Sequence, residues 1–88
     1  MKAVLLGTGW RARFFMRISH ILPSVLDIVS IYTRAEERAE ELRKEGYPAF
    51  SDLDAALSSA HDAVIVASGK VGFLDTLCYL HDRGERII

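Results

Sequence analysis

The chain has 88 residues, of which half are apolar and 26% are charged, a composition typical of a folded globular domain. Eleven basic and twelve acidic residues nearly cancel to a formal net charge of −1, which argues against a non-specific nucleic-acid binder. The single cysteine, Cys78, excludes an internal disulfide and a cysteine-rich zinc site. It fits a reducing compartment, so we expect a cytoplasmic protein. No apolar run reaches the ~18–20 residues of a membrane span.

Apolar runs and helical patterns alternate along the chain. The apolar runs predict strands at residues 3–6, 25–32, 47–50 and 62–67, with a fifth strand beginning at 86–88. The segments between them predict helices at residues 10–22, 35–45, about 52–59 and 71–83. This alternation predicts an α/β fold, a doubly wound parallel sheet of about five strands with helices on both faces. Because the fifth strand only begins in the last three residues, we expect a fragment truncated at its C-terminal end.

Local signals predict the ends and faces of the helices. Thr33 and Glu36 form a T-x-x-E pattern, which predicts a capping box with Thr33 as the N-cap of the second helix. Gly46 and Gly84 are suited to end the second and last helices. The first helix carries apolar residues at helical spacing, namely Phe14, Phe15, Ile18, Ile21 and Leu22. One side of the last helix is predicted to carry Phe73, Leu74, Leu77, Cys78 and Leu80, so that Cys78 would be buried.

A glycine-rich hexapeptide links the first strand to the first helix. The segment Gly7-Thr8-Gly9-Trp10-Arg11-Ala12 fits the pattern G-x-G-x-x-G/A of dinucleotide-binding turns. In that pattern the first glycine permits a tight turn, the second lets a pyrophosphate approach the backbone, and a small third residue lets the helix pack closely. The N–H groups at the helix start would then face the anion. The alternative is a glycine turn that merely connects two elements.

The end of the second strand bears on the choice of cofactor. NAD-binding proteins usually place an acidic residue there to hold the ribose hydroxyls, whereas this chain has Thr33 followed by Arg34. A hydroxyl beside a guanidinium suits a 2′-phosphate, and Arg38 lies one helical turn further on. The sequence therefore favours NADP over NAD, although NAD remains possible.

The chain resembles the N-terminal domain of the glucose-fructose oxidoreductase and inositol dehydrogenase family, often called Gfo/Idh/MocA. Besides the glycine turn, four segments carry the resemblance: TRAEERAEEL at 33–42, YPAFSDLDAAL at 47–57, DAVIVAS at 62–68, and the start of a strand at 84–88. The resemblance implies that residues 1–88 are the NAD(P)-binding Rossmann domain of a larger two-domain oxidoreductase. It also implies that Ala67, at the end of the fourth strand, and Ser68 and Gly69, in the loop after it, contact the cofactor.

The chain also departs from this family's pattern. Thr33 replaces the usual aspartate, Ser68-Gly69 replaces Thr-Pro, and Val71 and Phe73 stand where histidines are frequent. The family's E-K-P motif, whose lysine is implied in catalysis, does not occur before residue 88. We therefore expect no catalytic residue in this chain, no activity from it alone, and a missing C-terminal substrate domain as its partner. An open edge at the fifth strand makes a homo-oligomer possible.

Two other functions stay open at this point. One is a non-catalytic module that binds a nucleotide or senses NAD(P), and the other is a domain that keeps the fold without a ligand. A metal site is not expected, because His20, His61 and His81 are widely spread and lack ligand spacing. These histidines are expected to be solvated or to cap helices.

Overall fold

A computed structural model describes residues 1–67 and 73–88, in which strands and helices alternate. The strands are β1 (Lys2–Leu6), β2 (Asp27–Tyr32), β3 (Ala49–Phe50) and β4 (Ala63–Val66). The helices are α1 (Trp10–Ile21), α2 (Glu36–Lys44), α3 (Leu53–Leu57) and α4 (Phe73–Asp82). The second strand thus begins two residues later than predicted, and the third is only two residues long.

The four strands form one parallel sheet in the order β3-β2-β1-β4, which confirms the predicted doubly wound architecture. The predicted fifth strand is reduced to an isolated parallel bridge between Ile87 and Val64. This bridge extends the order on the β4 side, where the Ile88 N–H donates to the Val64 carbonyl at 2.8 Å. The central strand β1 is buried from Ala3 to Leu6, as its unbroken apolar sequence predicted.

Helices cover both faces of the sheet. Successive side chains of β1 point to opposite faces, so they pack against different helices. Ala3 and Leu5 pack in one core cluster with residues of α1 and α2. Val4 and Leu6 pack in the other, with residues of α3 and α4. Helices α1 and α2 therefore cover one face of the sheet, and α3 and α4 cover the other.

Helices α1 and α4 expose more apolar surface than the spacing of their apolar residues indicated. On α1 the buried residues are Ala12 and Met16, whereas Phe14, Ile21 and the following Leu22 are 58%, 70% and 50% exposed. On α4 Leu80 is buried, but Leu74 and Cys78 are exposed, so the prediction of a buried Cys78 is wrong. Both helices have apolar residues over most of their circumference, so spacing alone could not select the inner face.

The predicted capping box at Thr33 is also wrong. Helix α2 begins at Glu36 with Ala35 at the N-cap, and no side chain caps it. The Thr33 N–H instead donates to the Phe50 carbonyl at 3.0 Å, which keeps the chain extended past β2. Glu36 accepts hydrogen bonds from Arg43 and Ser51, which hold the pKa of its carboxyl below the usual value.

Local residues set three other helix ends. Asp52 caps α3 by accepting a hydrogen bond from the Asp54 N–H at 3.2 Å. Gly46 and Gly84 follow α2 and α4 with φ angles of +96° and +78°, as predicted for glycine helix stops.

Candidate functional site

Three loops meet at the carboxyl edge of the sheet, and backbone hydrogen bonds join each loop to a neighbouring strand. The Gly7 N–H, after β1, donates to the Tyr32 carbonyl at 2.9 Å. The Thr33 N–H, after β2, donates to Phe50, and the Ala67 N–H, after β4, donates to the Leu6 carbonyl at 2.9 Å. The glycine turn, the end of β2 and the start of the β4 loop therefore form one connected edge.

The two glycines of the turn differ in backbone conformation and in what the fold demands of them. Gly7 has a φ of +118°, a conformation that an L-residue with a side chain rarely adopts, so the turn itself requires it. Gly9, the N-cap of α1, has an ordinary extended backbone with φ −73°. A Cβ built at Gly9 would meet no described atom within 4 Å. The fold thus leaves open space beside the Gly9 backbone and places no steric demand of its own there.

The first turn of α1 favours an anion. No acidic residue lies in this turn, and no side chain caps its N-terminus among the described residues. Arg11 and Arg13 are exposed close by, whereas Ala12 is fully buried against the sheet. Unsatisfied N–H groups and the positive end of the helix dipole attract negative charge at such a position.

The end of β2 presents a hydroxyl and a guanidinium in sequence. Thr33 is buried, with 8% of its surface exposed, and Arg34 follows it as an exposed residue. The nearest acidic residue of the strand, Asp27, lies at the opposite end of β2, across from Lys2. Arg38 points to Glu41, with which it forms an ion pair of 2.8 Å.

The rest of the predicted site is only partly described. Thr8 is half-buried within the turn, and Trp10 begins α1 with 81% of its surface exposed. Ala67 lies at the connected edge, whereas the predicted cofactor contacts Ser68 and Gly69 lie outside the described residues.

The observed groups fit the pyrophosphate of a dinucleotide. Three observed features favour such an anion: an open approach to the Gly9 backbone, a helix N-terminus without acidic residues, and two exposed arginines.

The histidines form no metal centre within residues 1–67 and 73–88, where no group of three potential ligands occurs. His20 and His81 are exposed. His61 is not solvated, since only 9% of its side chain is exposed. It is not a helix cap either, because its partners Ser59 and Glu85 lie outside the helices. Its Nδ1 lies 2.6 Å from the Ser59 carbonyl and its Nε2 lies 2.7 Å from Oε1 of Glu85. This pair joins the start of β4 to the segment after α4, at the edge opposite the glycine turn.

The contacts of His61 make stability depend on pH. Burial lowers the pKa of His61, but its hydrogen bonds to Ser59 and Glu85 outweigh that effect, so the pKa lies above its ordinary value of 6.5. A raised folded-state pKa stabilises the fold fully below the unfolded value, and this stabilisation is lost as pH rises through the folded value. We therefore expect the free energy of unfolding to fall as pH rises above about 6.5.

Denaturant unfolding at a series of pH values measures this effect. His61→Gln should flatten the decline, and Glu85→Gln should reduce it, whereas His20→Gln, a change at an exposed site, should leave it in place. A decline of the same size in His61→Gln would show that other groups cause it.

Sequence reasoning missed two features of the structure. One is the His61–Glu85 pair, which joins residues 24 positions apart and has no local signal. The other is the exposed apolar face of α1, which the adjacent residues Phe14 and Phe15 could have indicated, because neighbours on a helix cannot share one face. Among the described helices, none is both long and apolar enough to cross a membrane.

Comparisons with known proteins agree with this geometry. A family model described as an oxidoreductase family with an NAD-binding Rossmann fold, the Gfo/Idh/MocA family, matches residues 1–83. A crystal structure from Desulfitobacterium hafniense, provisionally assigned as an NADPH-dependent oxidoreductase, superposes with a TM-score of 0.79 at 18% identity. The match covers 98% of this chain and 25% of that one, so this chain spans a quarter of its length. The comparison with curated proteins found no match.

The fold, the glycine turn and the family match lead to the same assignment. The parallel order β3-β2-β1-β4 places the turn at the edge where α/β sheets bind nucleotides. The matched segment includes both the turn and the end of β2. The chain belongs to the Gfo/Idh/MocA oxidoreductase family and comprises its NAD-binding Rossmann domain.

Proposed function

We propose that the chain binds NADP in preference to NAD and serves as the cofactor domain of an oxidoreductase. The observation that carries the preference is the end of β2, where Thr33 and Arg34 stand and the only acidic residue of the strand lies at its far end. A carboxylate there would accept hydrogen bonds from ribose hydroxyls and repel a 2′-phosphate, whereas a guanidinium attracts the phosphate.

The residues proposed to hold the cofactor have separate tasks. The Gly9 backbone and the N-terminus of α1 bind the pyrophosphate, with Arg11 adding positive charge. Thr33 and Arg34 bind the 2′-phosphate, with Arg38 as a further cation when it leaves Glu41. Ala67, Ser68 and Gly69 are proposed to contact the cofactor beyond β4. When bound, the cofactor supplies the hydride, and these residues bind and orient it.

The substrate, the catalytic residues and the remaining domain are outside this chain in the proposal. The crystal structure from Desulfitobacterium hafniense is about four times as long as this chain, given the 25% coverage. Its remaining length is enough for a separate substrate domain. The non-catalytic alternative, a module that senses NAD(P), uses the same cofactor contacts.

An NMR titration tests whether the proposed site is where the cofactor binds. With an amide-labelled chain, NADPH is expected to shift the resonances of residues 7–12, of Thr33 and Arg34, and of Ala67. The amides of His61 and Glu85 at the opposite edge serve as the internal control and should stay unchanged. Shifts confined to that opposite edge, or no shifts at millimolar NADPH, would contradict the proposal.

A further inference from the structure

The outward side of α1 concentrates exposed apolar side chains. Trp10, Phe14 and Ile21 are 81%, 58% and 70% exposed, and Leu22 and Val25 continue the apolar surface beyond the helix. These five account for more than half of the nine exposed large apolar residues among those described. Single exposed apolar residues are ordinary, but a concentration on one element indicates a binding surface.

The positions on α1 form one line along the helix. Residues 10, 14, 17 and 21 are separated by steps of four, three and four, which places them on one face. Ala12 and Met16, which pack against the sheet, lie on the opposite face. We call Trp10, Phe14, Arg17 and Ile21 the α1 stripe. It is roughly 16 Å long, the length of three turns of a second helix.

A pocket beside the α1 stripe adds positive charge. It has a volume of about 320 Å³ and is lined by Arg13, Met16, Arg17 and Tyr47. Arg13 and Arg17 are one turn apart, and within residues 1–67 and 73–88 neither forms an ion pair. Helix α1 contains no acidic residue at all. The surface therefore combines apolar anchors with two guanidiniums that no described carboxylate neutralises.

We propose that the α1 stripe docks an amphipathic, acidic helix of a partner protein. The partner's apolar residues would cover Trp10, Phe14 and Ile21, and a carboxylate would enter the pocket between Arg13 and Arg17. The exposed apolar area of the stripe and its extension is on the order of 500 Å², given about 150–250 Å² for a whole aromatic side chain. One side of a standard protein interface buries about 800 Å², so this area supplies its apolar centre and the arginines supply its rim.

Charge favours an acidic partner helix over a second copy of this chain and over a lipid surface. A second copy pairing through α1 would place guanidiniums opposite guanidiniums, because the helix has no carboxylate to offer. A lipid surface would have to accept Arg17 in the middle of the apolar line, where hydrocarbon cannot neutralise it and a carboxylate can. Trp10 and Arg13 also lie at the proposed cofactor site, whereas Phe14 and Ile21 lie one and three turns beyond the glycine turn, so the test relies on substitutions at these two residues.

A synthetic helix provides the test. The probe is a fluorescently labelled peptide of three heptads with leucine at a and d and glutamate at e and g, and its matched control has lysine in place of every glutamate. We expect the acidic peptide to bind, with a blue shift of the emission of Trp10, the only tryptophan of the chain. Phe14→Ser combined with Ile21→Ser should weaken binding at least tenfold, and Arg17→Glu should do the same. Leu74→Ser, at an exposed apolar residue of α4, should leave the affinity unchanged.

Four outcomes would overturn the proposal. They are no binding of the acidic peptide, equal binding of the acidic and basic peptides, sedimentation as a dimer that Phe14→Ser dissociates, and binding to phosphatidylserine vesicles that depends on Phe14 while the peptide is ignored. Because every substituted residue is exposed, circular dichroism should report an unchanged fold in each variant.

Discussion

Replacing Gly9 with valine is expected to weaken NADPH binding at least tenfold, about 1.4 kcal/mol, while the domain stays folded. The backbone at Gly9 is an ordinary extended N-cap, and a Cβ there would contact no described atom within 4 Å. A branched side chain would therefore occupy the space through which the pyrophosphate approaches, without disturbing the core. Calorimetric titration of both proteins measures the loss of affinity, and circular dichroism measures the fold.

Gly46 offers a matched control for this change. Its surroundings are equally open, but its φ of +96° means that Gly46→Ala should cost about 1–2 kcal/mol of stability. Since Gly46 follows α2, away from the glycine turn, the affinity of this variant for NADPH should not change. Unchanged affinity in Gly9→Val, together with a normal fold, would remove the glycine turn from the proposed site.

Exchanging Thr33 and Arg34 for aspartate and alanine is expected to reverse the cofactor preference. A hydrogen bond to a charged group is worth about 1.5–3 kcal/mol, which corresponds to roughly 10- to 150-fold in affinity. Arg34→Ala alone should remove most of the advantage of NADPH. The carboxylate introduced by Thr33→Asp should then accept hydrogen bonds from the ribose hydroxyls of NADH and repel the 2′-phosphate.

The controls for this exchange follow from the structure. Because Thr33 is buried and does not cap α2, aspartate there should cost about 1–3 kcal/mol of stability, so binding must be measured where the variant is folded. Thr33→Asn keeps the shape of aspartate without its charge and should not create a preference for NADH. Arg86→Ala removes the same charge at the opposite edge and should keep the preference for NADPH. Retention of that preference by the double variant would contradict the assigned role of Arg34.

Much of the fold could be predicted because its central strands are buried on both faces. The apolar runs at β1 and β4 are unbroken, so no choice of face or register was needed to place them in the core. The helix ends at Gly46 and Gly84 could also be predicted. A positive φ depends only on the local backbone, and glycine adopts it without steric cost.

The errors concern contacts between distant parts of the chain. Thr33 matched a local capping pattern, but a hydrogen bond to Phe50 keeps it extended, and that bond exists only once β3 pairs with β2. The inner face of α1 depends on the rotation of the helix about its axis against the sheet. Because apolar residues lie on nearly all sides of α1, their pattern could not determine this rotation. The glycine turn, by contrast, could be predicted, because its spacing and position between strand and helix are local.

The affinities of the unmodified chain for NADPH and NADH test the central proposal most directly. Both dissociation constants can be measured by calorimetry at low and at high salt. We expect NADPH to bind more tightly than NADH by about 10- to 150-fold at low salt. The ratio should be smaller at high salt, because the pairing between Arg34 and the 2′-phosphate is screened. Equal affinity for the two cofactors at low salt, or tighter binding of NADH, would contradict the proposal.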